Sequence, residues 1–190
     1  MATELAGMLV LVVGPSGVGK DTLIAYCRSR LTGFDNIVFP RRTITRDVDG
    51  TEDHEPVSER EFQRRVAAGA FAIHWQAHDL FYGVPTSIDI DIAAGRTVVV
   101  NTSRSVIEEA RQRYGRLVVA SVTARREVVA ERLHQRGRET IEDIGRRLER
   151  ARAIEVVGSD VYEFDNSGPI ATAGDALLSL LVDGPQRKDA

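Results

Sequence analysis

Continuous apolar runs and helical periods alternate along the chain. Met8–Gly14 (MLVLVVG), Thr97–Asn101 (TVVVN) and Leu117–Val122 (LVVASV) are unbroken or nearly unbroken apolar segments. Runs of this kind mark strands buried on both faces. Ile37–Phe39 and Val161–Phe164 are shorter segments of the same type. Helical patterns follow them: Lys20–Leu31, Ser105–Arg113, Arg125–Gln135, a long one over about Thr140–Val157, and Thr172–Leu181, with fraying from Asp183. The alternation predicts an α/β chain with a parallel five-stranded core sheet and helices on both faces.

Residues 34–95 break that rhythm. Pro40–Val57 is polar, rich in arginine at its start and without helical period. Ser58 and Glu61 form a capping-box pair that opens a helix running to Gly69. Phe71–Trp75 and Leu80–Tyr82 read as short strands, and Pro85–Ala94 as a helix with proline at its start and Gly95 after its end. This stretch is expected to be a substrate-binding excursion inserted into the α/β core.

Composition narrows the class. With 190 residues, 43% hydrophobic and 28% charged, the chain is expected to form one globular domain. A net charge of −3 gives no basic field for nucleic acid or a membrane surface. The single cysteine, Cys27, excludes an intrachain disulfide and reads as a small buried hydrophobe. No charged segment followed by an apolar one opens the chain, and no apolar run approaches the ~18 residues of a membrane span. A cytoplasmic location is expected.

The chemistry concentrates first in Gly14-Pro15-Ser16-Gly17-Val18-Gly19-Lys20-Asp21-Thr22. From Gly14 to Lys20 this fills a phosphate-binding loop, placed between a buried strand and a helix. Its glycines let successive N–H groups curl toward one anion, the helix N-terminus adds its positive end, and Lys20 supplies a point charge. Asp21 stands where a hydroxyl normally meets Mg²⁺. Thr22 does not replace that hydroxyl, because one helical step turns the side chain by about 100°. A carboxylate beside phosphates calls for a cation, so Asp21 is the candidate Mg²⁺ ligand. The strand where such enzymes carry a second metal-holding acid ends here in Asn101, Thr102 and Ser103. Asp21 is therefore expected to take over that duty.

The phosphate loop, RRTITR, FYG near residue 82, AAGRTVVV, ERLHQRGRET and GRRLERAR resemble the guanylate kinase family in order and spacing, over about residues 8–182. The resemblance implies a nucleoside-monophosphate-kinase fold that uses ATP. It implies a core at about 8–33, 96–135 and 158–182, an acceptor-binding region at about 34–95, and an arginine-rich lid at about 136–157. The departures lie in the acceptor region. The acid that reads guanine aligns with Gln76, the hydroxyl after YG with Val84, and a phosphate-contacting tyrosine with His54. A neutral amide cannot accept two N–H groups as a carboxylate does. Arg41, Arg42 and Arg46 instead suit a doubly phosphorylated small acceptor.

GPSG-x-GKD with RTITR, EDH, WQAH and YGVP resembles the ribose 1,5-bisphosphate phosphokinases, the phosphonate-pathway branch of this superfamily. That resemblance implies γ-phosphoryl transfer from ATP to ribose 1,5-bisphosphate, giving 5-phosphoribosyl 1-diphosphate. It implies Lys20, Arg46, Arg138 and Arg147 as catalytic cations, with Arg136 a further lid residue. Arg41, Arg42, Arg46, Asp53, His54, Gln76, His78 and Tyr82 form the acceptor set, and Asn166 belongs to the adenine-side loop. An acceptor phosphate oxygen is already a nucleophile near neutral pH, so no general base is assigned. Trp75 reads as packing rather than a stacking platform. The partners implied are ATP and a sugar bisphosphate, with no nucleic acid and no membrane; a homodimer stays open. A guanylate kinase with altered base readout and a non-enzymatic interaction module are the rival readings.

Overall fold

The computed structural model describes residues 7–47, 52–135 and 155–185. Its strands are β1 (Met8–Val13), β2 (Ile37–Val38), β3 (Arg42–Ile44), β4 (His54–Pro56), β5 (Phe71–Ala77), β6 (Leu80–Pro85), β7 (Thr97–Asn101), β8 (Leu117–Thr123) and β9 (Val161–Asp165). Its helices are α1 (Lys20–Arg30), α2 (Glu59–Ala67), α3 (Ser87–Ala93), α4 (Ile107–Arg113), α5 (Arg126–Gln135) and α6 (Ile170–Asp183). A five-stranded parallel sheet has the order β2-β7-β1-β8-β9. All six residues of β1 are buried, as its unbroken apolar run requires. The chain divides into two compact units: Val12–Thr32 with Val118–Ala190, and Met1–Leu11 with Gly33–Leu117.

The first of these carries the phosphate loop. Leu23 and Cys27 of α1, and Ala173, Gly174 and Leu177 of α6, are buried where the two helices pack. Gly174 is needed there because a Cβ would run into the Tyr26 ring. Tyr26 Oη donates to Asp175 Oδ1 at 2.5 Å, closing the same seam. Burial pushes the Cys27 thiol up to about 11, so it behaves as the inert small hydrophobe its position suggests.

The second unit holds a four-stranded sheet in the order β4-β3-β6-β5. Phe62 of α2 stacks on Phe71 (ring centroids 4.7 Å) and meets Phe81 (5.5 Å), fixing the helix on that sheet. Ser58 Oγ accepts the Glu61 N–H at 3.2 Å, so the helix starts where the capping pair places it.

Four local expectations change. Pro40–Val57 is not only loop, since it contains β3 and β4, which pair in parallel with Arg42 opposite His54 and Thr43 opposite Glu55. Pro85 closes β6 rather than opening α3. Asp183 still belongs to α6. The long helix expected over about Thr140–Val157 lies mostly outside the described residues, and Glu155–Val157 are not helical.

Candidate active site

The loop from Gly14 to Lys20 is held in shape from its own unit. Gly14 has φ 146°, and a Cβ there would collide with Val122 O. Gly19, at φ 92°, caps α1 in the left-handed region, and a Cβ there would stand 2.5 Å from Asn166 Nδ2. Asn166 is 2% exposed and donates from Nδ2 to Val18 O at 2.7 Å. Arg132 Nη1 donates to the same carbonyl at 3.2 Å. Asn166 Oδ1 is buried and has no hydrogen-bond partner among the described residues. Asn166 thus braces the back of the phosphate loop, a role its place in the sequence did not announce. Lys20 Nζ donates to Gly14 O (2.8 Å) and Pro15 O (3.0 Å), keeping the ammonium on the loop's own carbonyls.

Asp21 and Thr22 are exposed in the first turn of α1. Among the described residues no group of three or more His, Cys, Asp or Glu could hold a metal. A lone carboxylate such as Asp21 would fit Mg²⁺, an ion that keeps several waters and takes the rest of its shell from phosphates.

In the other unit the arginines are tied to carboxylates. Arg42 is 7% exposed on β3. Its Nε donates to Glu52 Oε1 at 3.0 Å, its Nη2 donates to the same oxygen, and its Nη1 donates to Asn101 O at 2.7 Å. The guanidinium lies 5.9 Å from the Trp75 ring and 5.7 Å from the Tyr82 ring. Those rings are themselves stacked, with centroids 5.1 Å apart and planes within 3°. Arg46 Nη2 lies 3.6 Å from Glu52 Oε2. Arg41 pairs with Asp53 at 2.8 Å, both side chains more than half exposed. An open groove of about 520 Å³ is lined by Arg46 together with Asp47, Glu59 and Asp79, among others.

The acceptor set is therefore brought together only in part. Arg42, Arg46 and Tyr82 converge, and Trp75 packs beneath them as expected. His54 is fully buried, with Nε2 on Arg46 O (2.8 Å) and Nδ1 on Glu52 O (3.2 Å). It ties two backbone segments together, with both ring nitrogens engaged there. Gln76 pairs with Phe81, and Trp75 with Tyr82. Neighbouring cross-strand pairs face opposite sides of a sheet, so the Gln76 side chain points away from the Arg42–Tyr82 face. His78 and Asp79, at φ 52° and 58°, form the two-residue turn of the β5–β6 hairpin. His78 sits at an exposed hairpin tip rather than beside Arg42. Arg136, Arg138 and Arg147 lie outside the described residues. Glu52, the partner of two arginines, was missed. Its place in EDH, two residues before the strand that pairs with Arg42, is the signal that could have found it.

A family model described as AAA domain matches residues 10–156. The ribose 1,5-bisphosphate phosphokinase PhnN of Acidiphilium cryptum (strain JF-5) is 52% identical over 177 residues, covering 93% of this chain and 93% of that protein. The protein of the same name from Agrobacterium fabrum is 46% identical over 175 residues, covering 91% and 95%. This chain belongs to the ribose 1,5-bisphosphate phosphokinase family. A crystal structure of guanylate kinase from Anaplasma phagocytophilum matches with TM-score 0.67 and 19% identity, over 93% of this chain and 85% of that one. The ribose 1,5-bisphosphate phosphokinase family therefore shares the guanylate kinase fold, the α/β phosphate-loop architecture expected from the strand–helix alternation. No helix among the described residues is long and apolar enough to cross a membrane.

Proposed function

We propose that this chain transfers the γ-phosphoryl group of ATP to ribose 1,5-bisphosphate, giving 5-phosphoribosyl 1-diphosphate and ADP. The observation that carries the proposal is the identity to relatives of that name along nearly the whole chain. An oxygen of the acceptor's 1-phosphate attacks the γ-phosphorus, the bond from that phosphorus to the β-bridging oxygen breaks, and the electron pair leaves with ADP. Little covalent chemistry falls to the protein, so positioning and charge neutralisation carry catalysis.

Loop N–H groups and Lys20 hold the ATP phosphates in this reading, over the residues Gly14 to Thr22. Asp21 holds Mg²⁺, directly or through water; when bound, that ion neutralises charge on the phosphates. Arg42 and Arg46 receive an acceptor phosphate, with Arg41, Asp53 and Tyr82 at the margin. Arg138 and Arg147 supply lid cations. The reading also takes residues 34–95 as the acceptor region and places the protein in the cytoplasm, with a homodimer open.

A guanylate kinase reading has the fold in its favour and the Gln76 amide against it. ADP release with ATP and Mg²⁺ separates the two, with ribose 1,5-bisphosphate or GMP as acceptor and the product identified. Turnover of the sugar bisphosphate is expected. Turnover with GMP alone would overturn the proposal.

A further inference from the structure

Glu52 does more than neutralise a neighbour. Its two carboxylate oxygens face two different arginines, Oε1 taking Nε and Nη2 of Arg42 and Oε2 lying 3.6 Å from Nη2 of Arg46. Two guanidinium groups converging on one anion form a seat that fits a phosphate at least as well as a carboxylate. The seat is built rather than accidental. Arg42 is anchored by Asn101 O and flanked by the Trp75 and Tyr82 rings, so it keeps its place without Glu52. His54 ties the backbones of residues 46 and 52 together through its two ring nitrogens, which brings the Glu52 side chain to the arginines. The Arg42 and Glu52 side chains are 8% and 14% exposed, whereas the neighbouring Arg41 and Asp53 side chains are 55% and 62% exposed.

We propose that Glu52 is the resident occupant of the acceptor's phosphate seat, leaves when a phosphate enters, and thereby sets the charge an acceptor needs to bind. This rests on the kinase reading above. A carboxylate brings one negative charge, whereas a phosphate monoester carries about 1.5 to 2 near neutral pH. Exchange of one for the other therefore favours a phosphate, and a neutral or singly charged sugar gains nothing by displacing Glu52. The residue acts on acceptor selection, not on the transferred group.

The test is calorimetric titration of inorganic phosphate into protein saturated with MgADP, so that the phosphate loop is already filled. Glu52→Gln keeps the shape and removes the charge; it is expected to tighten phosphate about tenfold. It should also lower KM for ribose 1,5-bisphosphate while leaving KM for ATP in place, a split that loss of local structure would not give. The tightening should vanish in Glu52→Gln/Arg42→Gln. If Glu52→Gln does not fold, Glu52→Asp, which keeps the charge but withdraws it by one methylene, should tighten phosphate by a smaller factor. Phosphate binding in Glu52→Gln (or Glu52→Asp) equal to or weaker than wild type would overturn the proposal, as would tightening that survives loss of Arg42. Binding is read without turnover. A wild type inactive on ribose 1,5-bisphosphate would sink the reaction proposed above and leave this comparison standing.

Discussion

In the unit that carries the phosphate loop, cations and polar side chains rest on backbone carbonyls: Lys20 on Gly14 O and Pro15 O, Arg132 and Asn166 on Val18 O. In the unit that carries the arginine segment the arginines are also paired with carboxylates, beside the carbonyls Asn101 O and His54 O that Arg42 and Arg41 reach: Arg42 and Arg46 on Glu52, Arg41 on Asp53, Arg65 on Glu55 and Glu61. A carbonyl is a neutral acceptor that gives up a cation to an incoming phosphate at little electrostatic cost. A carboxylate holds its arginine in place and must itself be displaced or left unpaired. The first arrangement suits polyphosphate binding that demands only charge. The second suits an acceptor that has to be chosen.

The largest expected effect breaks the carboxylate side of this contrast. Arg42→Met leaves Glu52 nearly buried with Arg46 as its remaining cation among the described residues, and losing one partner of a buried pair costs about 3–5 kcal/mol. Arg41→Met removes a mostly exposed pair and should cost about 0–1 kcal/mol. Urea unfolding of the two variants measures the gap, and equal losses would mean that burial does not separate the two pairs.

On the carbonyl side, Lys20→Met should act on rate rather than stability. Loss of one preorganised charge that stabilises the transferring phosphoryl group costs about 10²–10³-fold in kcat. The melting temperature should hardly move, because Gly14 O and Pro15 O are only partly buried and can take water instead. A large drop in melting temperature would make Lys20 a structural brace as well.

These two sides differ in how far the sequence disclosed them. The phosphate loop was legible because its chemistry is local: glycines, lysine, buried strand and helix are consecutive from Met8 to Arg30. The buried strands were legible for the same reason, as strands of five to seven residues dominated by consecutive apolar positions. β3 and β4 were not, since each has three residues, too few to show alternation, and each is a strand only because of pairing with residues 12 or more positions away. Glu52 escaped for that reason: it reaches Arg42 only because the residues just before β4 come alongside β3. Asn166 was placed near the nucleotide by resemblance, yet its grip on Val18 O spans 148 positions and needs the folded sheet to exist.

A smaller effect sharpens the carbonyl side. Gly19→Ala forces an L-residue into the left-handed region, at about 1–2 kcal/mol, and drives its Cβ against the Asn166 amide. Asn166→Ala alone loses a buried hydrogen bond, worth about 1–3 kcal/mol, although Arg132 still reaches Val18 O. The double variant should lose less than the sum, because removing Asn166 removes the obstacle. Strict additivity in thermal unfolding would show that Asn166 does not press on Gly19.

The smallest expected effect concerns the acid sensitivity of the carboxylate-paired unit. Arg64 and then Arg65 hold the Glu61 carboxyl at about 2, and Arg65 holds Glu55 below the usual carboxylate range. Their folded values lie below the unfolded ones, so the stabilisation is complete above the ordinary glutamate value of about 4.3 and drains away as pH falls from there toward about 2. Glu61 is accessible to water, which keeps the loss modest and sensitive to salt. The carbonyls that hold Lys20, Arg132 and Asn166 have no proton to take up in that window. Trp75, the one tryptophan, lies buried against Tyr82 in the arginine unit and reports that unit by its emission. The urea midpoint read from Trp75 should fall between pH 5 and pH 3 in wild type. It should fall less in Glu61→Gln, and added salt should shrink the difference. The same fall in both proteins would mean that the Glu61 ladder does not hold α2 on its sheet.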